Sequence, residues 1–240
     1  MRKEVTNAVR ERIMVINARF QEIISDTTGN NDKESKDICQ EYWNIRTEYN
    51  LFDRTFDEND KMGVVDILGN VVVPALYKDY SELYNYTIHT RLPIPAKDFN
   101  NKYALVTSDG KGTPLCDFEY DHISFMRGSD KFFVSAKKVG ERMLSGVIDS
   151  NGKVIVPCEM DVVHYVSNNI ACMVKDGKIG ILTMNGDFFA PVYDEVEEHN
   201  DFLTVCKDGA WGYLSTEGEF IDMSDEDRID EVILLRLIDC

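Results

Sequence analysis

The chain has 240 residues, 43 % of them apolar, enough to bury a core and too many for a wholly disordered chain. Its 43 acidic and 26 basic residues give a net charge of −17 and a pI near 4.6, which argues against nucleic-acid and anionic-membrane partners. No apolar run reaches the roughly 18 residues of a membrane span, the opening Met1-Arg2-Lys3-Glu4-Val5 is no apolar leader, and Cys39, Cys116, Cys158, Cys172, Cys206 and Cys240 form no Cys-x-x-Cys, so a cytoplasmic chain with reduced thiols is expected.

Residues 1–60 read as a helical hairpin. Val5, Val9, Ile13, Ile16, Phe20 and Ile23 or Ile24 recur at steps of three and four, the stripe of an amphipathic helix. A polar, glycine-containing break at Asp26 to Asp32 precedes a second stripe through Ile38, Tyr42, Ile45 and Tyr49. Two helices alone bury too little apolar surface, so the pair is expected to dock on the end of whatever follows.

From residue 61 to 221 the pattern is a β-repeat. Gly63 pairs with Gly69, Gly146 with Gly152, Gly180 with Gly186 and Gly212 with Gly218, always six apart, and Ala104 with Gly110 keeps the spacing. The five starts are 41, 42, 34 and 32 residues apart, so the first two units carry insertions, one of them holding Arg91-Leu92-Pro93-Ile94-Pro95. In each unit a strand such as Met62–Asp66 leads into a turn and a returning strand such as Val71–Val73, which Pro74 is expected to stop; the glycines are expected to supply positive φ. After the proline column comes an acidic, aromatic-flanked row containing Tyr77, Asp79, Tyr120, Asp121, Asp161, Tyr193 and Asp194. A further strand follows, and in Lys175-Asp176-Gly177-Lys178 and Lys207-Asp208-Gly209-Ala210 it runs into an Asp-Gly hairpin signal. The fold class is therefore mainly β, an array of about five degenerate three-stranded repeats, open and solenoid-like or propeller-like.

Residues 222–240 are expected to cap the array. Ser224-Asp225-Glu226-Asp227 resembles a helix start leading into Ile229, Val232, Ile233 and Leu237; a last strand is the alternative, because Asp230-Glu231-Val232 echoes Asp194-Glu195-Val196.

The units resemble the bacterial WG-repeat family, whose unit opens Trp-Gly-Tyr-Ile-Asp-x-x-Gly-Lys-x-x-Ile-Pro and continues Tyr-Asp-x-Val. Asp208-Gly209-Ala210-Trp211-Gly212-Tyr213-Leu214 carries the Trp-Gly pair, and Gly146 through Pro157 and Tyr193-Asp194-Glu195-Val196 carry the rest. Met62, Tyr103, Ser145 and Ile179 replace tryptophan elsewhere, so the units are degenerate. The resemblance implies an all-β array that presents recognition surfaces and brings no catalytic residue with it.

No catalytic or cofactor constellation is legible. Gly-x-Ser-x-Gly, the phosphate loop and His-Glu-x-x-His are missing from the sequence, and Gly110-Lys111-Gly112 reads as a turn. His122, His164 and His199 follow the row's aspartates by one, three and five residues, and are expected to face different ways and bind no metal; Asp57 to Gly63 departs from a calcium loop. The expected function is a non-enzymatic interaction module that recognises a protein, basic or otherwise, or an extended ligand. The row from Tyr77 to Asp194 either lines that surface or serves as turn chemistry, with aspartates accepting backbone N–H groups. A carbohydrate-active or other hydrolytic β-repeat protein with an acidic cleft, and an acidic immunity-like partner of a basic protein, are the alternatives.

Overall fold

The computed structural model describes residues 6–25, 37–38, 40–41, 44–45, 52–81, 92–126, 129, 131–165, 170–199, 203–215 and 219–224. The expected loop at 26–32, Tyr42, Tyr49 and the terminal helix or strand after 224 lie outside these residues. The chain divides into two compact units, Met1–Phe118 and Glu119–Cys240.

In the first unit the stripe forms α1 (Asn7–Ser25), with Ile13 and Ile16 at 0 and 2 % exposure. They pack on Ile67, with Ile38, Ile45, Phe52 and Leu68 around them, so the helical residues dock on the first β-sheet as their apolar face requires. Arg12 adds a two-pronged pairing with Glu41. That first sheet is β1 (Phe52–Phe56), β2 (Met62–Asp66) and β3 (Val71–Tyr77); the second is β4 (Asp79–Tyr80), β5 (Ile94–Lys97) and β6 (Tyr103–Val106). Strand β1 falls inside the stretch read as purely helical, and it pairs with β2 from Phe52↔Asp66 to Phe56↔Met62.

The second unit contains three four-stranded antiparallel meanders. The third sheet is β7 (His122–Phe125), β8 (Phe132–Val139), β9 (Arg142–Asp149) and β10 (Val154–Met160). The fourth is β11 (Val162–Tyr165), β12 (Ile170–Lys175), β13 (Lys178–Thr183) and β14 (Phe188–Tyr193). The fifth is β15 (Glu195–Glu198), β16 (Leu203–Lys207), β17 (Ala210–Leu214) and β18 (Phe220–Asp222). The expected three strands become four here, because the segment after each aspartate pairs with the next strand, as in Val162↔Val174 through Tyr165↔Ala171.

Two expectations about punctuation are corrected. The prolines do not end strands: Pro74, Pro157 and Pro191 lie inside β3, β10 and β14. Each is the edge strand of its sheet, where a missing N–H breaks no ladder, and the register slips beside the proline, as from Val64↔Val73 to Met62↔Tyr77. Among the described residues of the two columns, positive φ belongs to the second alone, at 87, 86, 81 and 99° for Gly69, Gly110, Gly152 and Gly186; Gly218 lies outside the described residues. The first column serves close approach. A Cβ on Gly146 would stand 2.5 Å from Val156 O and 2.8 Å from Cys158 N, in the bulge beside the proline. Where Ala104 occupies that column, the returning strand has shrunk to one bridge, Val106↔Pro114.

Successive sheets of the second unit share apolar cores. Phe132, Val147 and Val156 of the third sheet meet Met173 and Leu182 of the fourth, and Ile181 and Tyr193 of the fourth meet Leu203, Val205 and Leu214 of the fifth. Each fully buried side chain of this size contributes about 1.5–3 kcal/mol. Among the described residues no helix is long and apolar enough to cross a membrane.

Candidate functional site

The aspartates of the post-proline row open each sheet of the second unit in one geometry. The backbone N–H groups of Asp121, Asp161 and Asp194 donate to Ala136 O, Val174 O and Cys206 O at 2.9, 2.7 and 2.8 Å. Their carboxylates accept the backbone N–H of Lys138, Asp176 and Asp208 at 2.8, 2.9 and 2.7 Å. Each aspartate thus grips the hairpin between the second and third strands of its own sheet. In two of these hairpins the turn is the Asp-Gly pair read from the sequence, with φ of 50 and 78° at Asp176 and Gly177, and 52 and 82° at Asp208 and Gly209. Lys178 Nζ donates to Asp194 Oδ1 at 2.5 Å and, with the backbone N–H groups, holds that carboxyl below the usual range.

The tyrosines of the row point inward. Tyr120 and Tyr193 are each 2 % exposed, and burial raises the Tyr193 hydroxyl pKa. Tyr77 is half-buried; its hydroxyl donates to Gly112 O at 2.6 Å and its ring lies 5.3 Å from that of Phe118. Asp79 does not stand in the aspartate column. Lys78 does, since its N–H donates to Lys97 O at 2.9 Å, as those of Asp121, Asp161 and Asp194 do in their own sheets. The β5–β6 turn is longer, spanning Asp98 to Lys102, and the longer lysine reaches it through Asn101 Oδ1 at 2.6 Å. Asp79 instead accepts the N–H of Tyr80 and pairs with Arg54 at 3.7 Å.

A second row went unnoticed in the sequence. Asp66, Thr107, Asp149, Thr183 and Ser215 each stand three residues after the first glycine or its Ala104 equivalent, and all lock the following turn. Asp66 Oδ1 accepts from Leu68 N and Asn70 N at 2.8 and 2.9 Å, and Asp149 Oδ1 from Asn151 N and Lys153 N at 2.8 Å. Thr107, Thr183 and Ser215 accept with their hydroxyls from Thr113 N, Asp187 N and Glu219 N at 3.0, 3.1 and 2.9 Å. The signal was there: a short side chain with an acceptor oxygen at one fixed offset.

The remaining candidates carry no convergent chemistry. Gly110 N donates to Val72 O at 2.9 Å, so the Gly110-Lys111-Gly112 turn packs back on β3. Asp57 Oδ1 accepts from Asn59 N and Lys61 N at 2.9 and 2.8 Å, closing the β1–β2 turn. His122 and His164 both face outward, because offsets of one and three fall on the same side of a strand; the expectation of different directions is corrected by that two-residue period. His199 Nε2 lies 2.9 Å from Thr204 Oγ1. Burial pushes the Cys172 thiol up to about 11 and raises that of Cys158, the opposite of nucleophile activation. Among the described residues no three His, Cys, Asp or Glu side chains converge as metal ligands.

No curated protein matches the chain. The family model described as WG containing repeat matches residues 146–178, from the close-approach glycine of β9 to the far side of the β12–β13 hairpin. This β module therefore carries one stretch similar to a WG containing repeat.

Proposed function

We propose that the chain is a non-enzymatic binding module whose partner is a protein with a basic surface. The observation that carries this reading is how the repeated polar groups are used: the aspartate row and the turn-locking row are spent on backbone N–H groups of their own units. Recognition then falls to side chains that differ between units, such as the outward positions of the first strand in each meander: His122, His164, and the exposed pair Glu195 and Glu197. Charge supports a basic partner. Glu119–Cys240 holds 24 acidic and 11 basic residues, net −13, against 19 and 15 in Met1–Phe118, net −4.

The test is capture of host-lysate proteins on the tagged full chain, washed at low and high salt and identified by mass spectrometry. One basic protein is expected, released by high salt and lost with Glu195→Lys/Glu197→Lys in a chain whose far-UV spectrum is unchanged. Capture of nothing, or capture unaffected by both salt and the charge reversal, overturns the reading.

A further inference from the structure

Two ion pairs of opposite polarity span the junction between the third and fourth sheets. Arg142, at the start of β9, pairs with Asp161, whose own N–H is bonded into the fourth sheet at Val174 O. In the reverse sense Glu159 of β10 receives Lys175 Nζ of β12 at 3.0 Å. The next junction repeats the first bridge, with Lys178 Nζ of β13 donating to Asp194 at 2.5 Å. The oxygen assignment is the same at both: Oδ1 takes the cation of the preceding sheet, and Oδ2 takes the N–H of Asp176 or Asp208 in its own hairpin. One carboxylate thus ties two hairpins, and the backbone bond holds it in place for the cation.

The second bridge has an equivalent one repeat earlier, where Lys137 Nζ meets Glu119 at 2.7 Å, but it is not repeated at the junction of the fourth and fifth sheets. Val192, 41 % exposed, stands two residues before Asp194 as Glu159 does before Asp161, while Lys207 precedes its Asp-Gly turn as Lys175 does. Lys178 also reaches the exposed Asp208 of the fifth sheet at 3.6 Å, so one cation serves this junction where Arg142 and Lys175 serve the one before. We infer that the bridges are a clasp coupling successive sheets, and that the fifth sheet, held by one cation instead of two, opens before the fourth. An exposed pair shifts such an opening equilibrium by about 1.5- to 5-fold, and native-state exchange reads local openings of this kind.

Restoring the missing bridge tests this in the full chain. Val192→Glu is expected to slow native-state hydrogen exchange of the Leu203 and Val205 amides by about 1.5- to 5-fold at low ionic strength. The slowing is expected to vanish in Val192→Glu/Lys207→Ala and at about 1 M salt, where screening acts within ~3 Å. Another negative charge in a unit of net −13 speeds exchange by repulsion, so a slowing that needs Lys207 reports the pair. Exchange that is unchanged or faster with Val192→Glu, or slowed equally without Lys207, overturns the inference. As the reciprocal check, Glu159→Val is expected to speed exchange at Ala171 and Met173 by a similar factor; no change there also overturns it.

Discussion

A carboxylate that accepts a backbone N–H leaves an unsatisfied donor when it is removed, which costs about 1–3 kcal/mol if the donor stays buried and less if water reaches it. Asp149→Ala frees the N–H groups of Asn151 and Lys153 in an exposed turn, and Asp121→Ala frees that of Lys138. Each is expected to lower unfolding stability by about 1 kcal/mol, read from urea midpoints at constant slope. Asp149→Ser keeps an acceptor at the position, as Ser215 does naturally, and is expected to recover part of the loss. The pH dependence has a defined sign. The carboxyls of Asp57, Asp109, Asp194 and Asp222 lie below their usual range, the first through Lys61 N, the second through the Thr107 hydroxyl, the third through Lys178 and the last through Ser224. A depressed carboxyl stabilises the fold above its unfolded value and loses that contribution as pH falls through the folded one, so the acid limb lies below about pH 4. Around Asp194 stand Lys178, Asp208 and the N–H of Gly209, and Asp194→Asn is expected to make that limb shallower in pH-dependent thermal unfolding.

At the scale of the strand, two glycine columns look alike and do different work. Gly146→Ala drives a methyl into Val156 O and Cys158 N, backbone on both sides, and overpacking of this kind costs about 1–3 kcal/mol or more. Gly177 has open space where its Cβ would be, so Gly177→Ala meets only the cost of φ +78°, about 1–2 kcal/mol. Chemical denaturation of the two variants is expected to place Gly146→Ala as the more damaging. The six-residue glycine spacing located the turns at Gly69, Gly110, Gly152 and Gly186, but spacing carries no information on which glycine needs positive φ and which needs a neighbour's backbone. Proline was misread for a related reason: it breaks a strand only where its N–H was needed, and edge position is a property of the sheet.

Across the molecule, α1 closes the first sheet through Ile13, which is 0 % exposed, and Ile13→Ala is expected to cost about 2–5 kcal/mol and to reduce the helical far-UV signal at the same temperature. The net charge of −17 sets a second expectation: added salt screens the self-repulsion of 43 acidic residues, and the melting temperature is expected to rise between about 10 mM and 0.5 M salt even though the exposed ion pairs weaken. The amphipathic stripe, the repeat, its hairpins and the acidic balance were all written in local patterns of apolar, glycine and charged residues, and the WG containing repeat at residues 146–178 agrees with that reading. The seven candidate row residues were only half legible, because Tyr120 and Tyr193 turn into the core and Lys78, not Asp79, occupies the locking position. By itself the sequence determined a chain of β units behind a helical cap, since periodicity and turn chemistry act between near neighbours. Only the tertiary structure decided the fourth strand of each later sheet, the bulges at the prolines and the carboxylates that link one sheet to the next, because each depends on groups brought together by pairing between distant strands.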